Sequence, residues 1–307
     1  MNVIRTAIEL APTSKRVCLA IGVFDGVHLG HQQIIRQTVA DAHQHEAAAV
    51  VVTFDKHPSV IVAPDKVPLL IYSRPQKLQA VNALGVDALL EINFDKNFSQ
   101  QTGEQFIRSL AGGLGKIQSI CVGADFVFGH QRSGNVALLR SMGQELRFTV
   151  HGVSAVSLDG QPVSSTRIRD RIRAADFDAA SQMLGRPYSI VGNVIRGDQL
   201  GHQLGFPTAN LDTTGLLLPP NGVYTAHAAV AGQTHRAVLN IGLRPTINQL
   251  TPAPRVEVHL LDFSGDLYGQ ELEVVFAAKL RDEQKFSSRD ELKAQIARDI
   301  AQAERAF

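Results

Sequence analysis

Ile21-Gly22-Val23-Phe24-Asp25-Gly26-Val27-His28-Leu29-Gly30-His31 carries the fold of the first half of this chain. The apolar run from Val17 to Ile21 leads into it as a buried strand would, and Ile34, Ile35 and Val39 behind it repeat as one face of a helix. A strand, a glycine-punctuated turn and a helix start make the place where α/β folds bind phosphates. Free backbone N–H groups and the helix dipole both favour an anion there. His28 and His31 stand at i and i+3, so both can address one bound group. Gly30 between them lets backbone approach a ligand without a Cβ in the way.

The spacing narrows the kind of phosphate site. Gly-x-Gly-x-x-Gly is absent from this turn, and so is Gly-x4-Gly-Lys-Ser/Thr, which excludes a dinucleotide fingerprint and a P-loop here. What remains is His-x-Gly-His, whose imidazoles can donate hydrogen bonds to phosphate oxygens as charge builds during transfer. Two solvated histidines in a first helical turn are the plain alternative. Zinc is a third, but no third Cys, His or carboxylate stands nearby at ligand spacing.

Outward from this turn, apolar runs at 17–21, 48–53, 88–92, 117–122 and 146–150 alternate with helical patterns at 29–43, 75–84, 103–110 and 136–142. That alternation predicts an α/β domain with a parallel sheet and right-handed crossovers. Ligands in such sheets sit beyond the carboxyl ends of the strands. Three further segments fall at such ends. One is 53–58, with Phe54; one is 123–129, with Asp125; one is 163–169, with Ser164, Ser165, Thr166 and Arg169. Each alone reads as an ordinary turn or helix cap. Their expected convergence makes them parts of one site.

The bulk numbers set limits. A chain of 307 residues, 44% hydrophobic and 19% charged, suits two globular domains. Lys+Arg of 30 against Asp+Glu of 29 leaves +1, without the basic excess of a nucleic-acid binder, and Trp is absent. Cys18 and Cys121 lie in apolar runs and read as buried, reduced thiols. No leader-like apolar core opens the chain, and no apolar stretch approaches the roughly 20 residues that span a bilayer. The expectation is a cytoplasmic protein acting on small molecules, without nucleic-acid or membrane partners.

Past Leu184-Gly185-Arg186-Pro187 the texture changes, which puts a domain boundary between 1–185 and 186–307. Strand patterns at 189–195, 223–230, 235–241, 256–261 and 271–277 follow one another across Gly/Pro turns, with an amphipathic helix at 288–306. This is antiparallel β, most simply a small barrel. Its chemistry centres on Gly201-His-Gln-Leu-Gly205-Phe-Pro207-Thr208-Ala-Asn210. Gly201 and Gly205 leave room for close approach, and Pro207 fixes the chain before Thr208. The Thr208 hydroxyl and Asn210 amide oxygen, two residues apart on an extended chain, share a face and suit Mg²⁺ held largely by phosphates. A Pro-Thr-x-Asn turn with an Asx-type bond is the plain alternative. Glu257 alternates as a half-exposed strand residue does, and such a glutamate is ordinarily inert.

Phe24-Asp-Gly-Val-His-Leu-Gly-His31, Val122-Gly-Ala-Asp-Phe-Val-Phe-Gly129 with Arg132-Ser-Gly134, and Ser164-Ser-Thr-Arg-Ile-Arg169 together resemble the adenylyltransferase signatures of bacterial bifunctional riboflavin kinase/FAD synthetases. That family belongs to the His-x-Gly-His, Rossmann-like nucleotidyltransferases. Leu204-Gly-Phe-Pro-Thr-Ala-Asn-Leu211, Gly222-Val-Tyr224, Asn240-Ile-Gly-Leu-Arg-Pro-Thr246, Val256-Glu-Val-His-Leu-Leu-Asp-Phe263, Asp266-Leu-Tyr-Gly269 and Leu280-Arg-Asp-Glu-Gln-Lys-Phe286 resemble its riboflavin kinase signatures, in the same order.

The resemblance implies ATP-dependent phosphorylation of riboflavin to FMN in the second half and adenylylation of FMN to FAD in the first. Glu257 would be the general base, with Thr208 and Asn210 on the metal. His28, His31, the Ser164–Thr166 hydroxyls and Arg169 would attend the phosphates, and Gly22, Phe24, Asp25, Gly30, Phe54 and Asp125 would line the nucleotide and flavin site. The chain departs from the pattern at Lys56, where proline is usual, and at His202, where arginine is usual; the latter implies a weaker or pH-dependent phosphate contact. A nucleotidyltransferase whose barrel only senses flavin or nucleotide is the alternative, and an RNA-related protein, since His-x-Gly-His also marks some tRNA synthetases, is another.

Overall fold

The protein is described by a computed structural model covering residues 1–10, 16–243 and 254–307. The Arg244-Pro245-Thr246 part of the third kinase-like motif lies outside the described residues. Packing divides the chain into two units, Met1–Leu69 with Lys77–Ser165, and Leu70–Gln76 with Thr166–Phe307.

In the first unit six strands form one all-parallel sheet: β1 (Asn2–Ile4), β2 (Val17–Ile21), β3 (Ala48–Phe54), β4 (Ala88–Ile92), β5 (Ile117–Gly123) and β6 (Thr149–Val153), in the order β1-β4-β3-β2-β5-β6. Every residue of β2 is buried. Val17, Leu19 and Ile21 face a cluster with Ile107, Leu110 and Leu139, whereas Ala20 faces one with Phe24, Ile35 and Cys121. A strand covered on both faces has no reason to alternate, which is why β2 to β5 read as continuous apolar runs. Each large aliphatic side chain so buried contributes about 1.5–3 kcal/mol.

Helix α1 (Leu29–Gln44) follows β2; α2 (Gly103–Leu114) and α3 (Val136–Leu146) cover the other face. Thr102 and Gln105 close a reciprocal capping box at the start of α2. The expected strand at 146–150 is displaced to Thr149–Val153. Leu146 instead ends α3, whose C-cap Arg147 takes a left-handed conformation (φ 64°) before the chain turns into the sheet. Strand β1 was not expected; it pairs with β4 at the sheet edge. From β2 the chain builds β3 and β4 on one side, then returns to build β5 and β6 on the other. The carboxyl ends of β2 and β5 therefore flank the topological switch point.

The second unit is a closed antiparallel barrel. Its strands are β7 (Ser189–Ile195), β8 (Ala209–Leu211), β9 (Gly222–Val230), β10 (Gln233–Leu243), β11 (Pro254–Leu260) and β12 (Glu271–Arg281), in the circuit β7-β8-β11-β10-β9-β12. Helices α4 (Ser165–Arg173), whose first residue falls in the first unit, and α5 (Phe177–Leu184) precede it, α6 (Leu200–Leu204) lies within it, and α7 (Arg289–Ala306) ends the chain. Phe177 on α5 stacks on Phe276 of β12, ring centroids 4.9 Å apart, with Tyr188 and Tyr224 completing an aromatic core. The texture of the sequence changes at Arg186 because the strands begin there; the packing changes at Thr166 because the helices before them already pack on the barrel. Segment Leu70–Gln76 joins the barrel through the Gln76 amide, which donates to the Ser189 carbonyl (3.0 Å) and accepts from Val191 N–H (3.2 Å).

Candidate active sites

The first site is built at the carboxyl end of β2. Residues 25–27 form a single tight turn, and His28 caps α1, its Nδ1 accepting the backbone N–H of His31 at 3.4 Å. With Nδ1 an acceptor, the neutral ring carries its proton on Nε2 and can donate from there. The two imidazoles stack, centroids 3.6 Å apart, and Phe24 meets His31 edge-on at 5.3 Å. A Cβ at Gly30 would come to 3.2 Å from the His28 ring, so any side chain there would push that ring aside. Buried Asp25 lies in the turn, and its carbonyl accepts the Ser165 hydroxyl at 3.1 Å, tying the 163–165 segment to the histidine turn. Thr53 at the end of β3 donates to the Val23 carbonyl at 3.1 Å.

Beside this turn is a cavity of about 860 Å³, into which Gly22 and Phe54 project together with Phe94, Phe98, Phe126 and Phe128. Phe54 packs on Phe94 at 5.2 Å and Phe94 on Phe98 at 5.4 Å, edge to face; Phe126 and Phe128 stack at 5.1 Å. Lys96, His130 and Arg132 also line it. A lining of this kind suits a planar, apolar ring system with an anionic end. The ends of β2, β3 and β5 do converge here. Asp125 is exposed in the turn after β5 and does not line the cavity, nor do the imidazoles. Ser164, half-buried, lies with Ser165 in the first unit, whereas exposed Thr166 and buried Arg169 of the same motif fall in the second unit, on α4.

The Phe94 and Phe98 contribution was missed in the sequence. The signal was present in Phe94 and Phe98, two phenylalanines four apart just past a strand end, where ligands of parallel sheets sit.

The second site lies on the barrel. Asn210 of β8, Glu257 of β11 and Asn240 of β10 are partners in register, a row of three polar side chains across adjacent strands. Thr208 stands two residues before Asn210, at the mouth of β8. A cavity of about 340 Å³ is lined by Gly201, Thr208, Asn240, Glu257, Arg281 and, from α7, Asp299 among others. A second cavity, about 540 Å³, is lined by His202, Pro207, Thr208, Asp266 and Tyr268. Thr208 is common to both. Gly201 lies against it: a Cβ there would fall 2.5 Å from the Phe206 carbonyl and 3.0 Å from Thr208 Oγ1. Gly205 ends α6 in the left-handed conformation (φ 89°) and is exposed, outside both cavities. Among the described residues no group of three or more His, Cys, Asp or Glu could hold a metal ion unaided. The oxygens of Thr208, Asn210 and Glu257 are hard donors, and an arginine cation, Arg255, sits on Asn210 Oδ1 at 2.6 Å and 3.4 Å from Glu257 Oε1, so this donor set does hold positive charge.

Arg281 donates twice to Asp299, at 2.9 and 2.7 Å, fastening α7 to the cavity wall. Neither Asp299 nor Arg255 was singled out from the sequence, where each reads as an ordinary surface charge.

Comparison with known proteins follows this division. The FAD synthetase family matches residues 10–167 and the riboflavin kinase family residues 184–307. The chain is 40% identical over 304 residues to a bifunctional riboflavin kinase/FMN adenylyltransferase of Pseudomonas fluorescens, covering 99% of this chain and 97% of that one. It is 36% identical to the protein of the same name from Escherichia coli (strain K12), covering 100% and 98%. A crystal structure described as a macrolide-efflux protein from Streptococcus pneumoniae shares the fold over 98% of both chains, with a TM-score of 0.83 and 28% identity. Efflux belongs to that description alone; among the described residues no helix here is long and apolar enough to cross a membrane. With both family matches in sequence order and curated relatives aligned end to end, the chain belongs to the bifunctional riboflavin kinase/FMN adenylyltransferase family.

Proposed function

We propose that this chain makes FAD from riboflavin in two ATP-dependent steps, with residues 186–307 phosphorylating riboflavin to FMN and residues 1–185 joining FMN to the AMP part of ATP, releasing pyrophosphate. The observation that carries the kinase assignment is the position of Thr208 on two cavities at once. A phosphoryl donor on one side and an acceptor hydroxyl on the other would meet at that residue. Glu257, in the cavity bounded in part by α7, accepts the proton of the attacking ribityl 5′-hydroxyl. The riboflavin ring enters that same cavity, and the nucleotide takes the one bordered by His202, Pro207 and Tyr268. Mg²⁺ arriving with the nucleotide, held by Thr208 and Asn210, would neutralise charge on the transferred group.

In the first half the FMN phosphate is already an anion, so no strong base is needed. Placement of its oxygen and stabilisation of charge on the α-phosphate and leaving pyrophosphate supply the rate. His28 and His31 donate to those oxygens, with the Ser164 and Ser165 hydroxyls beside them. The phenylalanine-lined cavity takes the isoalloxazine ring, and Lys96, His130 and Arg132 favour the phosphorylated flavin over the neutral one.

Incubation with riboflavin, ATP and Mg²⁺, separating FMN and FAD by chromatography, tests the reading. FMN should appear first and FAD after it; FAD formation from supplied FMN without any conversion of riboflavin would instead support a barrel that only senses its ligand.

A further inference from the structure

Arg255 occupies the position that the metal reading assigns to a cation. It lies on β11 two residues before Glu257, on the same face of the strand. Its Nε donates to Asn210 Oδ1 at 2.6 Å, its Nη1 to Asp198 Oδ2 at 2.8 Å, and Nε stands 3.4 Å from Glu257 Oε1. The guanidinium thus joins three segments: strand β8, strand β11, and the loop that leads from β7 into α6. It is only 23% exposed. The backbone at Gly197 closes over the pair so tightly that a Cβ there would fall 2.3 Å from Asn210 Nδ2 and 2.5 Å from Arg255 Nη2.

The guanidinium is a planar cation with several fixed N–H donors, well suited to bridging an amide oxygen and a carboxylate. Asn210 has one side-chain oxygen, and a magnesium ion would need it at about 2.0–2.1 Å. A guanidinium nitrogen at 2.6 Å and a divalent ion cannot both take that oxygen from the same side.

We propose that Arg255 is a resident cation that holds Asn210 and Glu257 in place before the metal–nucleotide complex arrives and competes with the metal for Asn210 Oδ1. This rests on the reading of Thr208 and Asn210 as metal donors. Binding then requires Arg255 to leave Asn210 while Asp198 keeps its other end, so the loop before α6 stays tethered to β11. Arg255 is a positioning residue by this account; it sets the metal concentration at which the kinase site fills.

The test is Mn²⁺ binding to the full chain in the presence of ADP, followed by water-proton relaxation, in wild type, R255M, R255K, N210A and R255M/N210A. The barrel site is the part of the binding that N210A removes. R255M should lower its half-saturating Mn²⁺ about tenfold, the equivalent of one charge-assisted hydrogen bond. R255K, which keeps the charge but loses the planar Nε donor, should move the same way by less, and it carries the test if R255M does not fold. The Mg²⁺ dependence of FMN formation should shift in parallel. An unchanged or raised half-saturation in the arginine variants overturns the proposal. So does a shift of FMN formation that persists in R255M/N210A, which would mark a long-range charge effect. If N210A removes no Mn²⁺ site while riboflavin is still phosphorylated, the metal assignment itself fails, and the competition with it.

Discussion

His28 and His31 lie ring upon ring at the first turn of α1, inclined by 20° with centroids 3.6 Å apart. The stack fixes both imidazoles relative to the turn after β2, and Phe24, buried beneath, holds the His31 edge. Replacing His28 by Asn separates chemistry from structure, because asparagine is itself a strong N-cap. H28N is expected to fold as the wild type does and to lose about 10²–10³ of the FAD-forming rate, the usual cost of one transition-state hydrogen-bond donor. FMN formation should be unchanged. Separate initial rates for the two products check it.

Glu257 gives the opposite pattern. Its carboxylate shares a cavity with Thr208 and faces Asn210 across the strand pair. Glu257→Gln keeps the shape and removes the base. Riboflavin phosphorylation should fall by about 10²–10⁴, whereas FAD formation from supplied FMN should persist. Loss of both steps together would show instead that the substitution had unfolded the chain as a whole.

How much of this was legible beforehand differs between the units. The parallel sheet was read from β2 to β5 because strands buried on both faces announce themselves as unbroken apolar runs. Strand β1 was hidden, being only three residues long and pairing at an edge. The barrel strand β8 was also not counted as a strand. Its three residues, Ala209–Leu211, sit inside the Pro-Thr-Ala-Asn motif, and three residues carry no period. The histidine turn and the Thr208–Asn210 pair were read from local spacing, because each lies within a few residues of chain. Arg255 and Asp299 were not, since what makes them matter is a partner 45 residues away in one case and 18 in the other. The aromatic cavity joins residues from Phe54 to Phe128, and only the folded sheet brings those strand ends together.

The Arg281–Asp299 pair supports a stability prediction. Asp299 has 5% side-chain exposure and accepts two bonds from Arg281 and one from Gln295. Asp299→Ala leaves the largely buried guanidinium unpaired, which typically costs about 3–5 kcal/mol. Arg281 and α7 both border the cavity assigned to riboflavin, so the riboflavin KM of the kinase step should rise together with the loss of stability. The adenylyl-transfer step, from supplied FMN, should keep its rate below the unfolding temperature. Thermal unfolding and the two product assays measure these separately.

Alkaline pH should find a weak point in the sheet of the first unit. Cys121 is fully buried on β5, opposite Ala20 of β2, and its thiol lies 3.7 Å from the Asp41 carboxylate. Burial, with the nearby Asp41 charge adding to it, pushes the thiol up to about 12 from an ordinary value of 9.0. The folded chain therefore keeps a proton that the unfolded chain releases. Below pH 9 both states are protonated and nothing is lost. Between pH 9 and about 12 the unfolded state alone ionises, so unfolding becomes easier as pH rises. The slope from one such group approaches about 1.4 kcal/mol per pH unit. Cys121→Ala removes the ionising group, and the variant's urea midpoint should fall less steeply than the wild type's from pH 9 to pH 10.5, whatever their offset at pH 7. Parallel slopes would mean that the thiolate is accommodated in the folded sheet. A thiol reagent at pH 8 should correspondingly leave Cys121 unmodified in the native protein and label it fully in urea, because the protonated, buried sulfur is neither nucleophilic nor accessible.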